Sequence, residues 1–369
     1  MEELQIAIQR MKNKIAEILA PCMPSIYLHG SAAVGDFRLG WSDIDILVLT
    51  ELKITEEQAK MLVGLRQAML ADNPSNPYYR SFEGGMLTLD AFLSKKPDRV
   101  VYWGTSGERI TDSYTFNSFG MAELIESGVL LYGKDIRNQL TKPEFRALYA
   151  DVNKHYETIR KYAQKTGRSF HSFGWMLDIA RCIYTLRTGK IIAKTNAAEW
   201  ALENNLCPDP DALRYALKVR RSPLEYKDDN QTFDYAETLA EPVQRFADAL
   251  EKELKSVLPR SFLGKTVDIL IDRPLGSKHP KYPNIIYPIN YGYIPDVIGG
   301  DGEELDVYLL GVDTPVKEYS ARIIGIVHRH NDVEDKLVAA PEGMHFSAEE
   351  IEEAVMFQEQ YFDSVIELI

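Results

Sequence analysis

Residues 29–49 read HGSAAVGDFRLGWSDIDILVL, and the fold of the first half of the chain turns on them. Ser25 to His29 reads as a short strand that ends at Gly30-Ser31. Small residues between a strand and a helix start let backbone N–H groups approach a phosphate, and a helix N-terminus favours negative charge. Ile44 to Leu49 is an apolar strand that begins inside an acidic pair, Asp43 and Asp45. Residues two apart on a strand share a face, so both carboxylates project together and suit a Mg²⁺ ion shared with a triphosphate. Outward from this stretch, Leu4, Ile8, Met11, Ile15 and Leu19 repeat at helical spacing, stopped by Pro21 and Pro24. Thr55 to Leu70 reads as a helix opened by a Thr55/Gln58 capping box. Met86 to Leu93 is strand-like, and the α/β texture ends near Leu140.

The order Gly-Ser, a gap, then Asp-x-Asp opening a hydrophobic strand resembles the nucleotidyltransferase superfamily. The resemblance implies a third carboxylate on a later strand. Asp90 is the expected one, completing the metal site or taking the proton of an attacking hydroxyl. Glu83 is a nearby competitor in a Gly-rich turn, and the family's third acid is typically glutamate. From Pro143 to Leu258 the pattern changes to long helices. Within it LDIARCIYTLRTGKIIAKTNAAEWAL (177–202) resembles the C-terminal helical domain of streptomycin/spectinomycin adenylyltransferases. That likeness implies an active site in the cleft between the two domains, with Gly30, Ser31 and Lys194 on the phosphates of ATP. It also implies an aminoglycoside-like hydroxyl as acceptor, with Trp103, Trp175 and Asp178 as candidates for lining its pocket.

A second constellation follows Pro259 and Gly264. YPINYGYIPDVIGGDGEELDVYLLG (287–311) crowds Asp301, Glu303 and Asp306 about a turn containing Gly302. Three acids within six positions repel one another unless cations lie among them, and hard oxygen donors suit Mg²⁺ or Mn²⁺. The segment resembles the family I inorganic pyrophosphatase signature, Asp-x-Asp-Pro-x-Asp after Asn-Tyr-Gly-Tyr, with Glu303 and Glu304 replacing the middle Asp and the Pro. By that resemblance Asp306 is catalytic, and Asp301, Glu303, Asp306, Asp332 and Asp335 hold metal, with Glu334 the alternative to Asp335. Lys278, Tyr291, Lys336 and Tyr361 then contact phosphate, and Asp272 matches a family acid. Arg273 or His279 stands in for an upstream family arginine, and Phe362 occupies the place of a family lysine. Short strands at Thr266–Ile271, Leu305–Leu310 and Arg322–Val327 suggest a small OB-like β-barrel, followed by a helix from Ser347 to about Ile366.

The expected organisation is therefore multidomain: an α/β nucleotidyltransferase domain (1–140), an all-α domain (141–258) and a pyrophosphatase-like domain (259–369). A formal net charge of -13 disfavours non-specific nucleic-acid binding and is compatible with cationic substrates or metal-binding acids. Cys22, Cys182 and Cys207 lack metal spacing and read as reduced thiols of a cytoplasmic protein. Residues 1–20 do not read as a signal peptide, and no apolar run reaches the ~20 residues of a membrane helix. The expected activity is adenylyl transfer from ATP to an aminoglycoside-like hydroxyl, with hydrolysis of the released pyrophosphate. The alternative is a nucleotidyltransferase acting on protein or RNA, with a C-terminal module that only senses pyrophosphate or metal.

Overall fold

The computed structural model describes residues 2–97, 99–104, 107–282, 284–299, 303–329, 331–332 and 334–369. The chain divides into two compact units, Met1–Ala249 and Leu250–Ile369. The α/β and helical segments expected as separate domains thus fall within one unit, and the boundary lies inside a helix.

The first unit opens with α1 (Glu2–Leu19), β1 (Pro24–His29) and the single turn α2 (Gly30–Ala33). β2 (Ile44–Thr50), α3 (Glu56–Asp72), β3 (Phe82–Thr88) and α4 (Leu89–Ser94) follow. β4 (Val100–Gly104), β5 (Gly107–Thr111), α5 (Ser118–Ser127) and β6 (Val129–Tyr132) complete the sheet region. The strands lie in the order β5-β4-β3-β2-β1-β6. The β2–β3 pair, joined through α3, is parallel and its flanking pairs are antiparallel. α3 starts at the expected capping box of Thr55 and Gln58. β2 is buried on both faces, which is why it reads as an unbroken apolar run. Ile46 and Val48 pack into a core with Ile8, Met11, Ile15 and Leu62, while Leu47 and Leu49 pack on the other side with Tyr27, Leu87 and Leu124.

The helical part comprises α6 (Phe145–Tyr162), α7 (Phe170–Thr188), α8 (Lys194–Glu203), α9 (Pro210–Arg221), α10 (Pro223–Tyr226), α11 (Asn230–Glu237) and α12 (Ala240–Arg260). α7 is the central element. Phe173, Met176, Leu177, Ala180 and Ile183 are all buried, and α6, α8, α9 and α11 pack on it. All three cysteines are buried and unpaired. Cys22 Sγ donates to the Lys53 carbonyl at 3.4 Å, and burial pushes the Cys182 and Cys207 thiols up to about 12.

The second unit contains β7 (Thr266–Arg273), β8 (Asn290–Ile298), β9 (Glu304–Leu309), β10 (Glu318–Arg329), β11 (Lys336–Ala340), α13 (Ala348–Glu359) and β12 (Ser364–Leu368). Strand order is β11-β9-β8-β7-β10-β12, and β10 also pairs with β11, so five strands form a closed circuit with β12 added on β10. α13 covers a core of Tyr287, Tyr291, Tyr308, Val327, Val338, Ile351 and Val355. The expectation of a helix running to Ile366 is corrected. The Ser347/Glu350 capping box starts α13 as read, but the helix ends at Glu359, and Val365 and Glu367 pair with β10. No helix among the described residues is long and apolar enough to cross a membrane.

Candidate active sites

In the first unit the register of three adjacent strands sets the site. β1 against β2 brings His29 opposite Asp45, and β2 against β3 brings Asp45 opposite Glu83. Directly opposed residues have Cβ atoms roughly 5 Å apart, so an imidazole and two carboxylates form a row across the sheet. Asp43 lies just before β2. Gly30 follows His29 with φ +64°, and a side chain there would collide with the Asp45 carboxylate. Gly30 is therefore required by the neighbouring acid as well as by its left-handed backbone. Because α2 is only four residues long, its dipole is small, and any phosphate contact here depends on individual N–H groups.

These residues line a cleft of about 510 Å³, to whose lining the helical part contributes Lys194, Arg181 and Arg220. Asp36, Asp43, Asp45, Glu83 and Glu123 are all among its lining residues. Burial, then Asp43, Glu123 and Glu83, push Asp45 up to about 7, against the opposing pull of Lys194. Burial also raises Asp43, again opposed by Lys194. Lys194 Nζ stands 2.7 Å from Asp178 Oδ1. Burial alone would raise Asp178, but Lys194, Arg181 and His155 outweigh it and hold it at about 2. Arg181 in turn reaches Glu123 at 3.3 Å. Lys194 and Arg181 thus bring positive charge to a cleft whose acids Asp43 and Asp45 are raised by burial.

Two expectations are corrected by placement. Asp90 is not on the strand. β3 ends at Thr88, whose hydroxyl accepts from Ala91 N at 3.2 Å and caps α4. Asp90 is thereby turned to the exposed first turn of that helix, outside the cleft lining. Trp103 belongs to the core. It is fully buried, with Nε1 donating to the Leu62 carbonyl at 3.0 Å. Asp178 lies beneath Lys194, and Trp175 packs edge-on to His171 at 4.7 Å. Sequence reasoning placed Glu83 in a turn because of Gly84-Gly85. Gly84 is instead a strand residue at φ +144° pressed against the Ile46 carbonyl, a close backbone approach of the kind glycine allows within strands. Glu123, Asp36 and Arg220 went unread because nothing local marks them.

In the second unit Asp306 and Lys336 meet because β9 and β11 are parallel neighbours. Lys336 Nζ binds both the Asp306 and Glu334 carboxylates. Burial would lower Lys336, but these two acids outweigh it and raise it. Tyr291 is buried and hydrogen-bonded to Asp306, and burial followed by the Asp306 charge pushes its hydroxyl far up. Burial, followed by the charge of Asp306, raises Asp272, against the pull of Arg273, which contacts it at 2.7 Å. Of the two alternatives Glu334 and Asp335, the structure brings Glu334 to the Asp306–Lys336 pair. Asp335 points away from Lys336, its two oxygens accepting from His328 Nδ1 at 2.6 Å and Arg329 N at 3.2 Å. Glu334, in the segment just before β11, is the acid that reaches Lys336 instead. Asp332 pairs with Arg329 at 2.8 Å, a guanidinium also bound to Glu359 and covered by the Phe362 ring at 3.7 Å. Lys278, Glu303 and Tyr361 are exposed, and Asp301 lies outside the described residues.

Among the described residues no three carboxylate, imidazole or thiol side chains converge closely enough to hold an ion alone.

Comparison with known proteins matches this division. Residues 10–72 fit the nucleotidyltransferase domain family, 142–253 the aminoglycoside adenylyltransferase C-terminal domain, and 269–367 the inorganic pyrophosphatase family. An inorganic pyrophosphatase of Saccharolobus solfataricus is 39% identical over 77 residues, which are 20% of this chain and 41% of that protein. The chain thus spans well under half of that curated relative. Among solved structures, a spectinomycin adenyltransferase from Enterococcus faecialis, determined with ATP and spectinomycin, aligns at 16% identity and TM-score 0.42, over 64% of this chain and 97% of that one. An inorganic pyrophosphatase from Neisseria gonorrhoeae aligns at 24% identity and TM-score 0.23, over 27% of this chain and 74% of that one. The chain therefore carries matches to two enzyme classes, nucleotidyltransferases of the aminoglycoside adenylyltransferase type in its first part and inorganic pyrophosphatases in its last.

Proposed function

We propose that this chain is a bifunctional enzyme that transfers an adenylyl group from ATP to a hydroxyl of an aminoglycoside-like molecule and hydrolyses the pyrophosphate released. The observation that carries the reading is the cleft that Asp43, Asp45 and Lys194 line together, with the lysine close enough to oppose the rise of both acids. Acids whose charge is disfavoured by burial and by one another gain most from a divalent cation, and the lysine in the same cleft supports a triphosphate. Mg²⁺ or Mn²⁺ held by Asp43 and Asp45 supplies charge neutralisation for the α-phosphate region. Glu83, in register with Asp45, takes the role first expected of Asp90. It accepts the proton of the acceptor hydroxyl as that oxygen bonds to the α-phosphorus and the bond to the β-phosphate oxygen breaks. The acidic lining and overall charge favour a cationic acceptor, in keeping with the aminoglycoside family match.

The closed strand circuit, read as a small barrel, presents Asp306, Glu334, Lys336, Tyr291 and Asp272 to pyrophosphate, with Mg²⁺ or Mn²⁺ as the metal. Each tenfold fall in free pyrophosphate adds about 1.4 kcal/mol to the driving force of transfer, which gives the pairing of the two activities its value. The test uses the full chain with ATP, Mg²⁺ and a panel of aminoglycosides. A mass gain of one adenylyl group on an acceptor, with two phosphates released per transfer, is expected. Asp306→Asn should leave the initial transfer rate unchanged and lower the final yield, restored by an unrelated pyrophosphatase. No adenylylated product across the panel would overturn the acceptor assignment, and no phosphate from added pyrophosphate would overturn the second activity.

A further inference from the structure

Lys194 is the first residue of α8, and its own segment does not cap that helix: the N-cap is Ala193, with no side-chain hydrogen bond. The cap comes from the loop between α2 and β2. Asp36 accepts from Thr195 Oγ1 at 2.6 Å and from Thr195 N at 3.5 Å. Arg220, on α9, donates Nη2 to Asp36 Oδ2 at 2.7 Å and Nε to Thr195 Oγ1 at 3.3 Å. Its guanidinium also lies 5.8 Å from the Trp41 ring on the same loop. Asp36, Thr195 and Arg220 are 4%, 8% and 2% exposed. A buried acid with this arrangement is held charged: burial would raise Asp36, but Arg220 and Thr195 outweigh it and keep it below the ordinary carboxylate range.

The loop that Asp36 belongs to has Gly30 and Ser31 at one end and Asp43 at the other. Fastening its middle to the first turn of α8 therefore fixes Lys194 relative to the acids that share the cleft with it. An effective site needs its charged groups held to within about an ångström before the ligand arrives. A flexible lysine on a frayed helix end does not meet that demand. Two tethers meet at Lys194: Asp178 holds the ammonium, and Asp36 holds the helix start that carries it.

We propose that Asp36, Thr195 and Arg220 are positioning residues for nucleotide binding, acting through Lys194; the proposal rests on the reading of Lys194 as the ATP-binding cation. Thr195 is the sharpest probe, because it is buried and lies outside the cleft lining. Thr195→Val keeps the shape and removes the hydroxyl. The assay is titration of the full chain with α,β-methylene-ATP and Mg²⁺, for the parent, Lys194→Ala, Thr195→Val and the double variant. Loss of a hydrogen bond to a charged group predicts about tenfold weaker binding for Thr195→Val, with Thr195→Ser restoring affinity. In the Lys194→Ala background the same change should cost less than about twofold, because the residue it positions is gone. Equal losses in both backgrounds, or no loss in the parent, would overturn the proposal. If Lys194→Ala binds as tightly as the parent, the underlying assignment of Lys194 fails and the proposal falls with it. Thermal unfolding checks each variant, and if Thr195→Val does not fold, Thr195→Ala gives the same comparison, removing the hydroxyl that Asp36 accepts from.

Discussion

Replacing Gly30 with alanine tests the row of side chains across β1, β2 and β3 directly. Gly30 has φ +64°, a conformation that costs an L-residue roughly 1–2 kcal/mol. A second effect is specific to this position. The added methyl would fall on the Asp45 carboxylate and stand only 3.0 Å from its Cγ, whereas carbon atoms ordinarily rest about 3.5–4.0 Å apart. Asp45 must therefore shift by about 1 Å, and displacements of that size at reacting centres cost on the order of a hundredfold in rate. Gly35 provides the control. Its φ is +76° and nothing lies within 4 Å of an added methyl. Both substitutions carry the backbone cost, but only Gly30→Ala moves the acid. The assay is initial-rate adenylyl transfer by mass spectrometry, alongside thermal unfolding of each variant. Similar losses of stability are expected, with kcat about a hundredfold lower for Gly30→Ala alone. Equal kcat in the two variants would refute the reasoning, because it would show that the placement of Asp45 does not govern turnover.

Glu83→Gln should lower kcat at least about a hundredfold while Asp90→Asn stays within about twofold, as measured by steady-state transfer kinetics; the reverse order would return the role to Asp90. In pyrophosphate hydrolysis, Glu334→Gln should abolish phosphate release, and Asp335→Asn should mainly lower the melting temperature by loosening His328 from its hydrogen bonds. The pH dependence follows from Asp45, raised to about 7. Between about 4 and about 7 the folded state retains a proton that the unfolded chain has released, so this group's stabilisation is lost as pH rises. Metal-free protein should therefore show a melting temperature that falls across this window, with a shallower fall in Asp45→Asn. In the same range, binding of Mg²⁺ and nucleotide should release a proton measurable by calorimetry in two buffers.

What could be read in advance was what is local. Asp43 and Asp45 are two residues apart where β2 begins, Thr55 and Gln58 three apart at a helix start, and Asp306 stands near the start of β9, opposite Tyr293. Each announces itself within a few positions. Glu83 was misplaced because two glycines resemble a turn until the Ile46 carbonyl that excludes a side chain is seen. Asp90 was misread because Thr88 looks like a strand residue but acts as a helix cap. Asp36 and Arg220 are 184 positions apart, and a pairing over such a distance leaves no periodicity or spacing to detect. Glu334 and Asp335 both precede β11, so no strand period separates them, and only the partners they reach, Lys336 for one and His328 for the other, tell them apart.

The three buried cysteines have a practical consequence. A thiol held protonated and out of water is slow to alkylate, since the thiolate is the nucleophile. Cys182 and Cys207 meet both conditions, and Cys22 is shielded by burial and its contacts with Lys53 and Gln58. The native chain thus serves as its own silent background for maleimide chemistry: a cysteine introduced on the rim of either site can carry a dye without first removing the natural ones. The same three groups become reporters once denaturant is added, because their labelling then counts the molecules that have opened.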